Sequence, residues 1–166
     1  MSGAAVETRR QSLTVQHTGP SFSDAEVFEA FVGYLIDRDN VEHYRGRLQR
    51  RLIVNKCSEC RHLHHPPQAV CPHCWHGGVE PAEVSGNGTV TLRSVVHVGP
   101  AAPGIDYEKG HTIVVVELDE EPGLYFGSAI DERYRDEIGF GTRVSLMWLD
   151  RAGVPVPAFQ PAGPVQ

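Results

Sequence analysis

The sequence predicts a mainly β protein with N-terminal helices, in which a four-cysteine ribbon is followed by a five-stranded barrel of the OB type. Three observations carry this expectation. Cys57, Cys60, Cys71 and Cys74 form two C-x-x-C pairs near the middle of the 166-residue chain. Downstream, short β-rich runs alternate with turn residues. Upstream, apolar residues recur at helical spacing.

The cysteines carry the strongest chemical signal. Two residues between paired cysteines let a tight knuckle turn both sulfurs toward one point, with backbone N–H groups available to bond the thiolates. Two knuckles then supply the corners of a tetrahedron around Zn2+, with Zn–S near 2.3 Å. His65-Pro66-Pro67 stiffens the link between them, and Pro72 lies inside the second knuckle. Four thiolates close the coordination sphere, so the rubredoxin-like ribbon is expected to hold zinc structurally and not as a Lewis acid. An iron site of the rubredoxin type uses the same four sulfurs. Paired disulfides call for an oxidising compartment, and redox C-x-x-C motifs normally occur singly on a βαβ background; both fit less well. His62, His64, His65, His73 and His76 crowd the same stretch and are read as solvent-facing, because the sulfurs already complete the tetrahedron.

After the ribbon the pattern becomes that of strands. Residues 83–98 are β-rich and broken by Gly86-Asn87-Gly88, and 99–110 is rich in turn formers. A near-continuous apolar run at 111–118, a turn at 119–123 and a strand at 124–130 follow. A short polar, helical excursion at 131–138 precedes strands at 144–149 and 154–159. A helical interruption between the third and fourth of about five strands favours an OB barrel over a sandwich. Pro155 and Pro157 place the last strand at an edge.

Before the ribbon, residues 1–21 lack periodicity and are read as a disordered or partner-ordered tail. Asp24 is a candidate helix cap, and Val27, Phe28, Phe31, Tyr34 and Leu35 lie on one helical face. A second helix is expected over 40–47, weakened by Gly46, with extended chain from Leu48. The expected organisation is a tail at 1–21, a helical segment at 22–47, the zinc ribbon at 48–80 and the OB domain at 81–161.

Bulk properties bound the function. The chain is 40% hydrophobic and 22% charged, with a formal net charge of −6. Four thiolates and a dication bring that to about −8, the wrong sign for a protein whose affinity comes from neutralising nucleic-acid phosphates. Arg45, Arg47, Arg50 and Arg51 form a local basic patch: a solvated helix face, or a seat for a phosphate-bearing small molecule or an acidic surface. No apolar run approaches the roughly 20 residues that span a bilayer, and no h-region marks a secretory signal, so the expected location is the cytoplasm. No nucleophile elbow or H-E-x-x-H motif is present, and Gly86-Asn87-Gly88 lacks the Lys-Ser/Thr of a phosphate loop. No catalytic residue is assigned.

In order along the chain stand Leu52-Ile53-Val54-Asn55-Lys56-Cys57, His65-Pro66-Pro67, Cys71-Pro72-His73-Cys74 and Val84-Ser85-Gly86-Asn87-Gly88-Thr89-Val90. Val116-Glu117-Leu118-Asp119-Glu120, Leu124-Tyr125-Phe126-Gly127 and Phe159-Gln160-Pro161 follow. This succession, from about Leu48 to Pro161, resembles the acyl-CoA-associated zinc-ribbon/OB-fold family, long catalogued as a domain of unknown function. Arg61 and Trp75 stand where family glycines follow each knuckle, which is expected to loosen those turns, and His65 replaces an aromatic residue. The resemblance implies a non-catalytic companion subunit of a thiolase-like, lipid-transfer-protein-like aldolase or acyl-CoA hydratase enzyme. Such enzymes serve lipid or aromatic catabolism or natural-product acyl transfer, and the partner supplies the catalytic groups. The loop at 99–110, with Pro100, Pro103, Ile105 and Tyr107, is then a candidate to reach the partner's active-site mouth. Phe22, Phe28, Phe31 and Tyr34 are candidate interface anchors, or intramolecular packing. A rival reading is a stand-alone acyl-CoA-binding protein, with Arg45, Arg47, Arg50 and Arg51 on the CoA phosphates. A single-stranded nucleic-acid module is the weakest, since it needs a basic groove.

Overall fold

Ser23, and not Asp24, opens the first helix of the computed structural model, which describes residues 21–102 and 104–163. Its hydroxyl accepts from the Glu26 N–H while the Glu26 carboxylate accepts from the Ser23 N–H at 2.7 Å, a reciprocal capping box. Helix α1 (Asp24–Ala30) is short and ends at Phe31. The expected apolar face therefore splits: Val27 and Phe31 are buried, whereas Tyr34 is half-exposed and Leu35 is 91% exposed. The tail expected at 1–21 lies almost wholly outside the described residues.

Helix α2 (Val41–Leu48) packs on α1 through Val27, Phe31 and Val41, with Phe22, Tyr44 and Leu48 around them. Gly46, expected only to weaken this helix, has a packing role. A Cβ there would meet Ile53 Cγ1 at 2.3 Å and the Arg51 carbonyl oxygen at 2.8 Å. Its absence lets the helix lie flat against strand β1 (Leu52–Cys57).

β1 is the shared wall of the molecule. It pairs antiparallel with β2 (Leu63–His64) on one side and β3 (Val79–Val84) on the other, forming the ribbon sheet. β3 belongs to this sheet, so ribbon pairing runs on to Val84. Leu52, Val54 and Val84 nevertheless bury their side chains in the barrel's core cluster, beside Val90, Val116, Phe126 and Phe159.

The barrel consists of β4 (Gly88–Val96), β5 (His111–Leu118), β6 (Tyr125–Ile130), β7 (Arg143–Arg151) and β8 (Val154–Pro161), closed in the order β4-β5-β6-β8-β7. The expected helical excursion is a single 3-10 turn, Glu132–Tyr134, between β6 and β7, where an OB barrel carries its helix. β5 alternates half-buried and buried residues along its whole length, as a barrel strand must.

β8 is not an edge strand. It lies between β7 and β6, pairing with β7 over its full length and with β6 through Ala129–Ala158 and Ile130–Phe159. The reason lies in register. Ala152 and Gly153, with φ of 50° and 82°, make a two-residue hairpin turn closed by Arg151 and Val154. Counting from that pair, Pro155 and Pro157 occupy the non-hydrogen-bonded positions opposite Asp150 and Trp148, where β7 requires no N–H. Their carbonyls, facing away from β7, accept from Arg47 and from the Ser128 hydroxyl. No helix among the described residues is long and apolar enough to cross a membrane.

Gly46→Ala is expected to destabilise the fold. Overpacking against Ile53 costs about 1–3 kcal/mol, against roughly 1 kcal/mol returned by alanine's helix propensity. Urea denaturation should show a lower midpoint with an unchanged slope.

Candidate functional site

The two knuckles are built alike. In the first, the Cys57 N–H donates to the His62 carbonyl at 2.9 Å and the Arg61 N–H to the Cys57 carbonyl at 3.1 Å. In the second, the Cys71 N–H donates to His76 and the Trp75 N–H to Cys71, both at 2.9 Å. Arg61 and Trp75 take φ of 67° and 62°. The expected loosening is absent: each residue adopts the left-handed conformation a glycine would, and the turns stay closed at a cost of about 1–2 kcal/mol apiece.

These turns bring all four sulfurs within 4.8 Å of one another. Cys57 and Cys74 approach to 3.6 Å, and Cys60 and Cys71 to 3.7 Å. These separations are far too long for disulfides and match the edge of about 3.8 Å of a tetrahedron with Zn–S bonds of 2.3 Å. Cys57 and Cys71 are buried while Cys60 and Cys74 face solvent. The electrostatics favour a cation. At Cys57 burial raises the thiol pKa, but the Cys60 and Glu59 N–H groups and the adjacent sulfurs bring it down to about 6. At Cys60 the His62 N–H lowers it, but desolvation and the other three sulfurs drive it up to about 12. Sulfurs this close cannot all ionise without a dication among them. The donor set fits structural zinc, with every ligand position filled by protein.

The histidines are not simply solvent-facing. His64 is buried, and the His65 ring packs tilted against Phe126 with centroids 4.5 Å apart. His62 bonds Glu121 at 2.5 Å, and the second Glu121 oxygen accepts from the Leu63 N–H at 2.9 Å. Next to it, Glu120 accepts from the Ser85 N–H at 2.6 Å. Residues 119–123, legible in sequence only as a turn, therefore clasp the ribbon to the barrel. Burial tends to raise the Glu121 pKa, but the Leu63 N–H and His62 outweigh it and hold the carboxyl below its ordinary range. Glu120, the last residue of the family-like Val116–Glu120 segment, was the available sequence signal, and Glu121 follows it directly.

The four arginines do not form one surface. Arg45 pairs with Asp24 and Glu42, Arg50 with Asp150 at 2.9 Å and Arg51 with Glu83 at 2.6 Å. Arg47 points inward: it is 6% exposed, donates to the Pro155 carbonyl and lies 4.6 Å from the Phe31 ring centroid.

Two outcomes are expected of the ribbon. Cys71→Ser should lose zinc by atomic absorption and deprotect amides of the knuckles, β1 and β3 to hydrogen exchange more strongly than those of Val114 and Val116 in the barrel. Trp75→Gly should retain zinc and raise stability in thermal unfolding by about 1 kcal/mol through relief of the left-handed strain.

Comparison with known proteins agrees with this geometry. The model of the ChsH2 rubredoxin-like zinc ribbon domain matches residues 45–80. A Thermomonospora curvata protein named "Probable enoyl-CoA hydratase alpha subunit" is 34% identical over 130 residues, 78% of this chain and 39% of that protein. A DUF35 domain-containing scaffold protein of Pyrococcus furiosus is 35% identical over 80 residues, 48% of this chain and 55% of that protein. The chain thus spans only about two fifths to a little over half of these curated relatives. A solved structure of the Ltp2-ChsH2(DUF35) aldolase superposes with a TM-score of 0.66 at 32% identity, covering 77% of this chain and 98% of the matched one. With its tetrathiolate ribbon, its five-stranded barrel and this coverage, the chain belongs to the DUF35 family of zinc-ribbon/OB-fold proteins.

Proposed function

We propose that this protein is a non-catalytic subunit that docks on and supports a thiolase-like, aldolase or hydratase enzyme acting on acyl-CoA thioesters. The observation that carries the reading is a juxtaposition. The helical segment and the loop at 99–110, far apart in sequence, meet over the β7–β8 hairpin. Ala30, Val32 and Tyr34 face Ala102 and Ile105 across a mainly apolar cavity of about 270 Å³ floored by Val154 and Val156. Beside it Val32 and Leu35 are 82% and 91% exposed. Contiguous exposed apolar side chains of this kind mark protein contacts, and aromatic residues such as Tyr34 are frequent anchors in them. Phe31 serves intramolecular packing instead, with its ring against Tyr44 at 5.0 Å.

Two further points support the reading. A tetrathiolate centre offers substrate no coordination position, which supports a structural use of the metal and chemistry supplied by a partner. The named relatives, a probable enoyl-CoA hydratase subunit and an aldolase, support a partner among enzymes of acyl-CoA metabolism. The stand-alone CoA-binding reading draws less support, because Arg45, Arg50 and Arg51 are each engaged by a carboxylate.

The test is co-expression with candidate thiolase-like, aldolase and hydratase proteins from the same organism. Wild type is expected to co-purify with one of them. Val32→Asp and Ile105→Asp, which place charge on that patch, should weaken the complex about tenfold or more while retaining zinc. Unchanged complex formation in both variants would sink the proposed docking face.

A further inference from the structure

Where α2, the ribbon link and the barrel wall meet, a second cavity opens, of about 350 Å³. Three basic side chains line it: Arg47, His43 and His65. Arg47 is 6% exposed and His43 is 9% exposed. The two imidazoles lie 5.2 Å apart. Among the described residues, no carboxylate pairs with any of the three. This arrangement contrasts with the neighbouring arginines, each matched to an acid. Among the described residues, the Arg47 charge meets the Pro155 carbonyl, which accepts from Nε and Nη2 at 3.2 Å, a side-chain hydrogen bond with Tyr34, and the faces of Phe31, Tyr34 and Tyr44. His65 Nδ1 is buried without a hydrogen-bond partner. Burying a cation without an opposite charge is costly, and an unpaired buried polar atom adds a smaller cost. The first cost falls when an anion enters, and so does the second when His65 Nδ1 carries the ring proton.

We infer that this cavity is a binding site for a small organic carboxylate with an apolar body. The anionic head would sit against Arg47 and His65, and the body against Phe126, Pro66 and Pro157, which form the apolar wall. A carboxylate fits better than a phosphate. The site holds one guanidinium, two of whose donors are already committed to Pro155, and a dianion requires several more donors. His43 Nδ1 lies 2.8 Å from the Ile53 carbonyl oxygen, so that nitrogen carries the proton and Nε2 is left as the ring's acceptor. The histidines report on occupancy. Desolvation lowers His43 to about 4, with Arg47 adding repulsion. Desolvation also lowers His65 to about 3, helped by His43 and His64. A bound anion stabilises the charged imidazolium and moves both values up.

The site does not require the partner enzyme, so it can be tested separately from the docking face. The zinc-loaded full chain is titrated with sodium benzoate, with inorganic phosphate and benzyl alcohol as controls at constant ionic strength, while the His43 and His65 ring signals are followed by NMR. Benzoate is expected to shift both signals with a Kd on the order of 1 mM or below and to raise both imidazole pKa values, with phosphate and benzyl alcohol about tenfold weaker. Arg47→Met should weaken benzoate about tenfold. Because Arg47 also braces β8, a second variant, Gly127→Leu, blocks the cavity from its wall, where an added Cβ meets nothing within 4 Å; it too should lose benzoate while keeping zinc. Absence of benzoate shifts at both histidines, affinity equal to that of benzyl alcohol, or full binding by Gly127→Leu would overturn the assignment.

Discussion

Mutual repulsion among four sulfurs is the constraint on which the rest of the structure depends. Held within 4.8 Å of one another, they favour a dication in their centre over any metal-free arrangement of charge. Once the metal is seated, both knuckles and the stiff link between them become one rigid piece. That rigidity tolerates left-handed backbone at Arg61 and Trp75, residues that ordinarily avoid it. It also fixes the ends of β1 and β3 at Cys57 and Val79.

β1 transmits this order outward. Its Leu52 and Val54 belong to the barrel core, its Ile53 receives the flat face of α2 at Gly46, and its Cys57 binds the metal. One strand thus serves three neighbours, and it is buried at all but one of its positions. Glu120 and Glu121 close the seam from the barrel side, their carboxylates accepting from the Ser85 N–H just after β3 and the Leu63 N–H of the ribbon. The ribbon is then not an appendage on a barrel but part of the same packed unit. This suits the supporting role proposed above, which requires surfaces presented at fixed separations.

Charged and basic residues divide by burial, not by sequence proximity. Arg45, Arg47, Arg50 and Arg51 lie within one short stretch, yet helix and turn geometry send three to acidic partners on different elements and one into the interior. Histidines that read as decoration of a hairpin tip are drawn under the barrel wall at His64 and His65, because the link folds back onto Phe126. Composition reports how many such groups there are, and only packing decides which of them retain water.

By itself the sequence determined the metal centre, the ribbon-then-barrel order and the family, because each rests on local chemistry: the reach of a C-x-x-C knuckle, period-two alternation, and turns at Gly and Pro. It also located both helices, with errors at the first cap and at the length of the apolar face, where a capping box and a C-terminal stop at Phe31 outweighed periodicity. Only the tertiary structure decided that β8 is enclosed by β6 and β7, since the hairpin register that excuses Pro155 and Pro157 is a property of pairing. Only the tertiary structure, likewise, decided that β3 serves the ribbon, that Glu121 is a clasp and that Arg47 stands without an acid. Each of those facts depends on which residues, distant in sequence, share a low-dielectric neighbourhood, and no local pattern encodes that.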